Sequence, residues 1–173
     1  MSEADVTARF RTLQPGMELS LTRRFRQPME KVFAALATPE RIADWMGVNW
    51  QGGAGPLKLG DSFSYTFANS DMPSEGHVTA YDPPRLIEHT WSENEPPMSL
   101  VRWELEPEGD GCRLVLIHSF HQPPPRSALI STAASWHLML DRLPGAVSGQ
   151  AAEWSRDEWQ ALHDWYAEKF RKS

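Results

Sequence analysis

The sequence predicts an α+β fold in which a curved antiparallel sheet of about six strands packs against one long C-terminal helix. Strand-like runs follow one another between residues 62 and 120, and no segment between them is long enough for a crossover helix, which indicates an antiparallel meander. One long amphipathic helical pattern comes afterwards. The 173 residues, 40% hydrophobic and 23% charged, have the composition of a globular chain of one domain.

The chain begins with a segment that we expect to be a flexible arm. Residues 1–16 are polar, lack periodicity and end in Gln14, Pro15 and Gly16, so we place them outside the core. Residues 17–173 are assigned to a single domain that carries an extra C-terminal helix. This domain opens with a strand, because apolar residues alternate with period two directly after the arm. Its expected inner face carries Leu19, Leu21, Arg23 and Phe25.

Two short helices are predicted after the first strand. Pro28 suits the start of the first helix, which has apolar residues at three- and four-residue spacing. Thr38 is placed to cap the second helix, Pro39 suits its first turn, and Gly47 suits its end. The Gly-rich stretch 48–60 is interpreted as a loop.

The strand meander consists of runs at 62–68, 77–81, 85–92, 99–106 and 112–120. A strong hairpin signal, an Asp-Gly pair, joins the last two runs. In that hairpin the apolar face is expected to bring together Val101, Trp103, Leu105, Leu114, Leu116 and His118. In the run 85–92 two alternating sets compete for the inner face, and both stay open: Leu86, Glu88 and Thr90, or Ile87, His89 and Trp91.

The long helix is predicted over residues 127–143, where Pro144 and Gly145 should end it. At about 1.5 Å per residue it would span roughly 25 Å, enough to cross a small sheet. A last helix over residues 155–171 begins with a capping box. It has more aromatic side chains than one stripe can bury, so a dimer or partner face is the alternative to packing on the domain.

Charge and cysteine content exclude several classes of protein. The formal net charge of −6 argues against nucleic-acid binding, which needs clustered Lys and Arg. The single cysteine, Cys112, cannot form an internal disulfide, and no basic stretch followed by an apolar run opens the chain. We therefore expect a cytoplasmic protein without a membrane span.

Several short strings carry a resemblance to a known family. They are Arg23 to Pro28, Val32 and Phe33, Thr38 to Trp45, Leu59 to Asp61, Asp82 to Trp91, Trp103 to His118, and Ser135 to His137 with Leu140. In this order they resemble the activator-of-Hsp90-ATPase homologues of the START-like superfamily, also called SRPBCC. The match covers nearly all of the chain beyond the arm.

This resemblance implies a helix-grip fold, in which a bent sheet wraps around the long helix and leaves a cavity. In some relatives such a cavity takes small hydrophobic molecules, including aromatic ones similar to polyketides or flavonoids. The resemblance implies no shared catalytic residue. Two positions depart from the family, which usually has Gly in place of Ser135 and a long helix that continues beyond the position of Pro144.

Ten side chains expected to face inward form the candidate ligand-binding set: Trp45, Phe63, Tyr65, Phe67, Trp103, Leu116, His118, Trp136, Met139 and Leu140. Each alone suits a core, whereas together they would line a cavity with Tyr65, His118 and the indoles as polar contacts. His118 could also act as an acid or base. Its spacing to His121 is compatible with metal ligation, but the two should face opposite ways and no third ligand is evident, so we predict no metal and no cofactor.

Three hypotheses for the function follow. The leading one is a binder of a small hydrophobic ligand that is not an enzyme and is a monomer or weak homodimer. The second is a co-chaperone that stimulates a heat-shock ATPase, which would connect the protein to the stress response. The third is an aromatase or cyclase acting on a bound polyketide, for which the sequence offers no defined acid and base.

Overall fold

The structure is a computed structural model that describes residues 7–53, 55–68, 70–93, 98–150 and 153–171. Its strands are β1 Arg9–Leu13, β2 Gly16–Phe25, β3 Val48–Gln51, β4 Ser62–Phe67, β5 Ser74–Asp82, β6 Leu86–Trp91, β7 Ser99–Glu108 and β8 Gly111–Phe120. Its helices are α1 Met29–Ala37, α2 Pro39–Met46, α3 Arg126–Val147 and α4 Arg156–Arg171.

All the strands belong to one antiparallel sheet with the order β1-β2-β8-β7-β6-β5-β4-β3. Only the step from β2 to β8 joins strands that are not consecutive, and this step brings the first part of the chain beside the last hairpin. The predicted α+β class and the antiparallel meander are confirmed, with 8 strands in place of about six.

The two faces of the central hairpin separate apolar from charged side chains, as the period-two pattern predicted. Trp103 lies opposite Leu116 on the inner face, and both are buried. On the outer face Arg102 bonds to Glu104 and Glu88 at 2.6 and 3.2 Å. Such partly exposed ion pairs stabilise little, about 0–1 kcal/mol each, so the inner face supplies most of the stability.

Helix α3 packs against the inner face of the sheet and buries Ala133, Trp136, Leu140 and Leu143. The prediction that Pro144 ends the helix is wrong, because the helix continues for a further turn to Val147. Pro144 removes only its own amide donor, and the Ser148 amide still bonds to the Pro144 and Gly145 carbonyls. Burial of Ala146 and Val147 in the core favours this extra turn. No helix in the described part of the chain is both long enough and apolar enough to cross a membrane.

The two short helices are confirmed, and their ends differ in how well the sequence predicted them. Pro39 occupies the first turn of α2, and Gly47 ends the helix with φ +67°, a conformation that glycine adopts without strain. Thr38 is the N-cap residue, but its side chain makes no capping hydrogen bond, so that part of the prediction is wrong.

The expected N-terminal arm is a strand where the structure describes it. Strand β1 pairs with β2 across a tight turn, and Ala8 is buried in the core. The turn depends on Gly16, which has φ +111° and lies so close to the Phe120 carbonyl that a Cβ would be only 2.2 Å from it. Pairing with β2, rather than any apolar alternation within residues 9–13, orders this segment.

The predicted loop 48–60 also contains a strand, β3, which pairs with the outer edge of β4. Val48 is buried there, and Trp50 stacks on Phe63 with ring centroids 5.0 Å apart. Four residues are too few to show a strand period, so the glycines that follow dominated the sequence pattern.

A buried polar network connects both ends of the described chain to α3. The Tyr166 hydroxyl of α4 accepts a hydrogen bond from the Ala8 amide at 2.9 Å, so its own proton points to Nδ1 of His137, also at 2.9 Å. His137 Nε2 then faces Asp141 at 3.5 Å, and Arg23 bonds to the same carboxylate at 2.9 Å. Burial lowers the pKa of His137, with Asp141 opposing the shift, which favours a neutral ring.

We expect Tyr166→Phe to lower the free energy of unfolding by about 1–3 kcal/mol, because the buried Ala8 amide and His137 nitrogen each lose a partner. Amide hydrogen exchange in β1 should accelerate. Tyr81→Phe is the matched control, since no described residue bonds to that hydroxyl. Equal losses in the two variants, measured by urea unfolding, would show that the network contributes nothing.

Candidate functional site

An open cleft of about 590 Å³ lies between α3, the start of α4 and the ends of β4 and β6. Its walls come from α3 on one side and from the inner face of the sheet on the other. The residues that line it are Phe67, Trp91, His118, Ser131, Thr132, Ser135, Trp136, Met139, Trp154, Arg156 and Trp159.

The deep wall of the cleft is aromatic. Trp91 of β6 lies 4.9 Å from the ring of Trp136 on α3, and Phe67 lies 6.4 Å from Trp91 on the other side. Trp136 is only 2% exposed, whereas Phe67 and Trp91 keep part of their surface open. The cleft therefore offers flat apolar surfaces at angles to one another, which suit a ring-shaped ligand.

The outer wall of the cleft carries the polar groups. The hydroxyls of Ser131 and Thr132 of α3 have no hydrogen-bond partner among the described residues. Ser135, one turn further along, accepts a hydrogen bond of 2.9 Å from the Trp159 indole and so holds α4 against α3. Arg156, at the first position of α4, is exposed at the mouth.

A second space lies deeper in the domain but is almost filled. It measures about 20 Å³ and is lined by Leu36, Ile42, Trp45, Met46, Trp50, Leu57, Phe63, Tyr65, His89, Trp91 and Trp103. Trp91 lines both spaces and separates them. A space of this size holds about one water molecule, so no organic ligand fits there without rearrangement.

The ten side chains predicted for the site fall into three groups. The cleft is lined by Phe67, His118, Trp136 and Met139. The small inner space is lined by Trp45, Phe63, Tyr65 and Trp103. Leu116 and Leu140 are fully buried in the core and line neither space. The structure therefore brings four of the predicted residues to the open cleft, and the other six stay a prediction for ligand contact.

His118 is held as a neutral imidazole by its neighbours. The Trp136 indole donates to Nδ1 at 3.0 Å, so the ring proton lies on Nε2 and points to the Ser99 hydroxyl at 2.8 Å. Burial, and to a smaller extent the neighbouring His89, lowers the pKa of His118 to about 3. Both nitrogens are engaged, which leaves neither free for metal ligation with His121 or for proton transfer to a ligand.

His89 repeats this arrangement with the opposite tautomer. The Trp103 indole donates to Nε2 at 3.2 Å, so Nδ1 carries the proton and donates to the Thr90 carbonyl at 2.9 Å. Burial lowers the pKa of His89 to about 4. The inner set of β6 is thus Ile87, His89 and Trp91, while Glu88 points outward to Arg102, which decides between the two sets that the sequence left open.

The hydroxyl of Tyr65 is buried beside the inner space and forms no hydrogen bond of regular geometry with a described residue. Burial raises the pKa of Tyr65, and the adjacent Ser74 side chain opposes this only in part. The group stays a neutral phenol. Trp91 separates it from the open cleft, so it makes no polar contact there.

A family model described as Activator of Hsp90 ATPase homolog 1-like protein matches residues 26–148 of the chain. The match covers both short helices, strands β3 to β8 and all of α3, and it leaves out the cleft residues Trp154, Arg156 and Trp159. The chain belongs to this family. No curated protein matches the sequence.

Solved structures similar to this family member share its fold. CalU16 from Micromonospora echinospora is 23% identical, with 92% of this chain and 94% of that chain covered and a TM-score of 0.68. Protein EF2215 from Enterococcus faecalis is 16% identical, with 98% and 93% covered and a TM-score of 0.75. MLL2253 from Mesorhizobium loti is 21% identical, with 78% and 99% covered and a TM-score of 0.66.

In this family member part of the cleft is lined by residues that were not predicted from the sequence. The missed lining residues are Trp91, Ser131, Thr132, Ser135, Trp154, Arg156 and Trp159. Ser135 had been noted as a departure from the family, which usually has Gly there, and this was a signal for the contact with Trp159. The residues of α4 could not be found from the pattern, because nothing in it shows on which side of α3 this helix packs.

Proposed function

We propose that this protein binds a small hydrophobic, aromatic ligand in the open cleft. The observation that supports the proposal is an open cleft of about 590 Å³ whose lining includes the aromatic rings of Phe67, Trp91, Trp136 and Trp159. Sites for small organic ligands measure about 300–1,000 Å³, are mostly apolar and carry a few polar groups that orient the ligand. The cleft has each of these properties.

Binding without catalysis is part of this proposal. His118 is the one ionisable group in the deep wall of the cleft that the structure describes, and both its nitrogens are engaged. A general acid or base must exchange a proton with the ligand, which here would break a buried hydrogen bond to Ser99 or Trp136. A cyclase or aromatase reaction would need a group that this wall does not offer.

Obstruction of the cleft tests the proposal. Ser131→Trp places a bulky ring in the cleft at a residue whose hydroxyl has no described hydrogen bond to lose. We expect it to weaken binding of the neutral probe 2-naphthamide by about tenfold or more, measured from the indole N–H signals of Trp136 and Trp159 in NMR titrations.

The matched control for this experiment is Ala161→Trp, which adds the same ring at an exposed position of α4 outside the cleft. It should bind the probe as the unsubstituted protein does. Equal affinity in the Ser131→Trp variant, or probe-induced shifts confined to residues outside the cleft, would contradict the proposed site.

The family match supports one alternative, a co-chaperone that stimulates a heat-shock ATPase. A turnover assay of the cognate chaperone with and without this protein addresses it directly. An unchanged rate of ATP hydrolysis would end this alternative and would leave the ligand proposal untouched.

A further inference from the structure

We infer that the ligand is an aromatic carboxylic acid whose ring lies against Trp91 and Trp136 and whose carboxylate is bound by Arg156 at the mouth of the cleft. This inference rests on the proposed function and adds the chemical class of the ligand. It follows from the charge of the lining residues, from the position of the free hydroxyls, and from the chain's net charge.

The charge of the cleft comes from one side chain. Among the described residues that line it, Arg156 is the only one that is charged near neutral pH, because His118 is neutral and no Asp or Glu is present. Arg156 forms no ion pair with a described residue. A guanidinium presents several N–H donors in a planar fork that matches a carboxylate, whereas a neutral ring would leave it unused.

Two hydroxyls extend this polar edge along α3. Ser131 and Thr132 line the same cleft, and neither of their hydroxyls bonds to a described residue. Ser135 is already engaged by Trp159, so among the described hydroxyls of this wall those of Ser131 and Thr132 are the ones left for a ligand. This polar edge offers the Arg156 guanidinium and two hydroxyls that can donate, and no Asp or Glu among the described lining residues competes for these donors, which favours an acceptor on the ligand.

The acidic residues near Arg156 in the sequence are not among the residues that line the cleft. Glu153 and Asp157 are exposed beside it in the chain but do not line the cleft. Glu158 faces the buried Arg142 of α3, with 3.5 Å between the charged groups. Since the chain as a whole carries a net charge of −6, an anion gains from this cleft only through the local cation. The preference for a carboxylate is thus a property of Arg156.

A pair of probes with the same ring tests the inference. In NMR titrations of the full chain at low salt, 2-naphthoate should bind at least about threefold more tightly than neutral 2-naphthamide, and added salt should reduce the difference. Arg156→Gln should abolish the difference by weakening only the naphthoate. The control Arg41→Gln removes the same charge from a different groove and should keep the difference.

The outcomes separate this inference from the proposed function. If both probes shift the Trp136 and Trp159 signals with equal affinity, or if Arg156→Gln keeps the preference for naphthoate, the inference is wrong and the binding site stands. If neither probe shifts these signals up to its solubility limit, the proposed function is wrong and the inference fails with it.

Discussion

Between about pH 7 and about pH 5 the free energy of unfolding should fall by about 2 kcal/mol through His118 alone. The histidine has a folded pKa of about 3 and an ordinary unfolded value near 6.5. Protons therefore bind the unfolded chain first, so the stability is complete above about pH 6.5 and is lost as the pH falls toward the folded pKa. His89, with a folded pKa of about 4, adds a loss of the same sign, smaller because the Thr90 carbonyl and the Glu88 carboxylate favour the charged ring and oppose part of the effect of burial on its pKa.

The variant His118→Gln isolates the contribution of this residue. The variant should be less stable near neutral pH, because it loses the hydrogen bonds of the ring to Ser99 and Trp136. Since glutamine does not titrate, its stability should decline by about 2 kcal/mol less between the two pH values. Urea unfolding at a series of pH values measures both quantities. His121→Gln is the control, because His121 is exposed beyond the end of β8 and should leave the slope unchanged. An unaltered slope in the His118 variant would show that this ring is not held neutral.

Trp136→Ala should lower the free energy of unfolding by about 3–5 kcal/mol. The indole ring lies at 4.9 Å from Trp91 and 5.4 Å from Trp103, so truncation leaves a void on the inner face of α3. It also removes the donor to Nδ1 of His118, which leaves a buried acceptor without a partner. Chemical unfolding of the variant measures the sum of these losses.

One further variant separates the loss of packing from the loss of the hydrogen bond, and a second variant is the control. Trp136→Phe keeps much of the ring but not the N–H group, so it should cost less than the Ala variant. Trp154→Ala, at a side chain that is 41% exposed, should cost no more than about 1 kcal/mol. If the Trp136 and Trp154 truncations had similar effects, Trp136 could not be a central element of the core.

The prediction of the fold succeeded where a pattern was long and its period clear. The hairpin of β7 and β8 was predicted with its facing residues, because ten-residue strands repeat the period-two alternation several times. It failed at β1 and β3, where strands of five and four residues depend on a neighbour to supply hydrogen bonds. It also failed at Pro144, since a single missing donor near a helix end is outweighed by burial of the next turn.

Only part of the candidate site was predicted, because periodicity shows which way a side chain faces but not what it contacts. The positions of His118 and Trp136 on inward faces follow from periodicity, and both line the cleft. Their hydrogen bond does not follow from the sequence, because it joins β8 to α3 across the core. Trp45, Phe63 and Trp103 also face inward, yet they pack so closely that only about 20 Å³ is left between them and their neighbours.

By itself the sequence determined which residues form strands and helices in the longer elements, which faces of them are apolar, and to which family the chain is similar. These properties are local, since they depend on spacing along the chain. Only the tertiary structure decided where the interior is filled and where it opens, which tautomer His118 and His89 adopt, and that Arg156, Ser131 and Thr132 line one cleft. Such features depend on distances between elements far apart in sequence, and packing alone sets those distances.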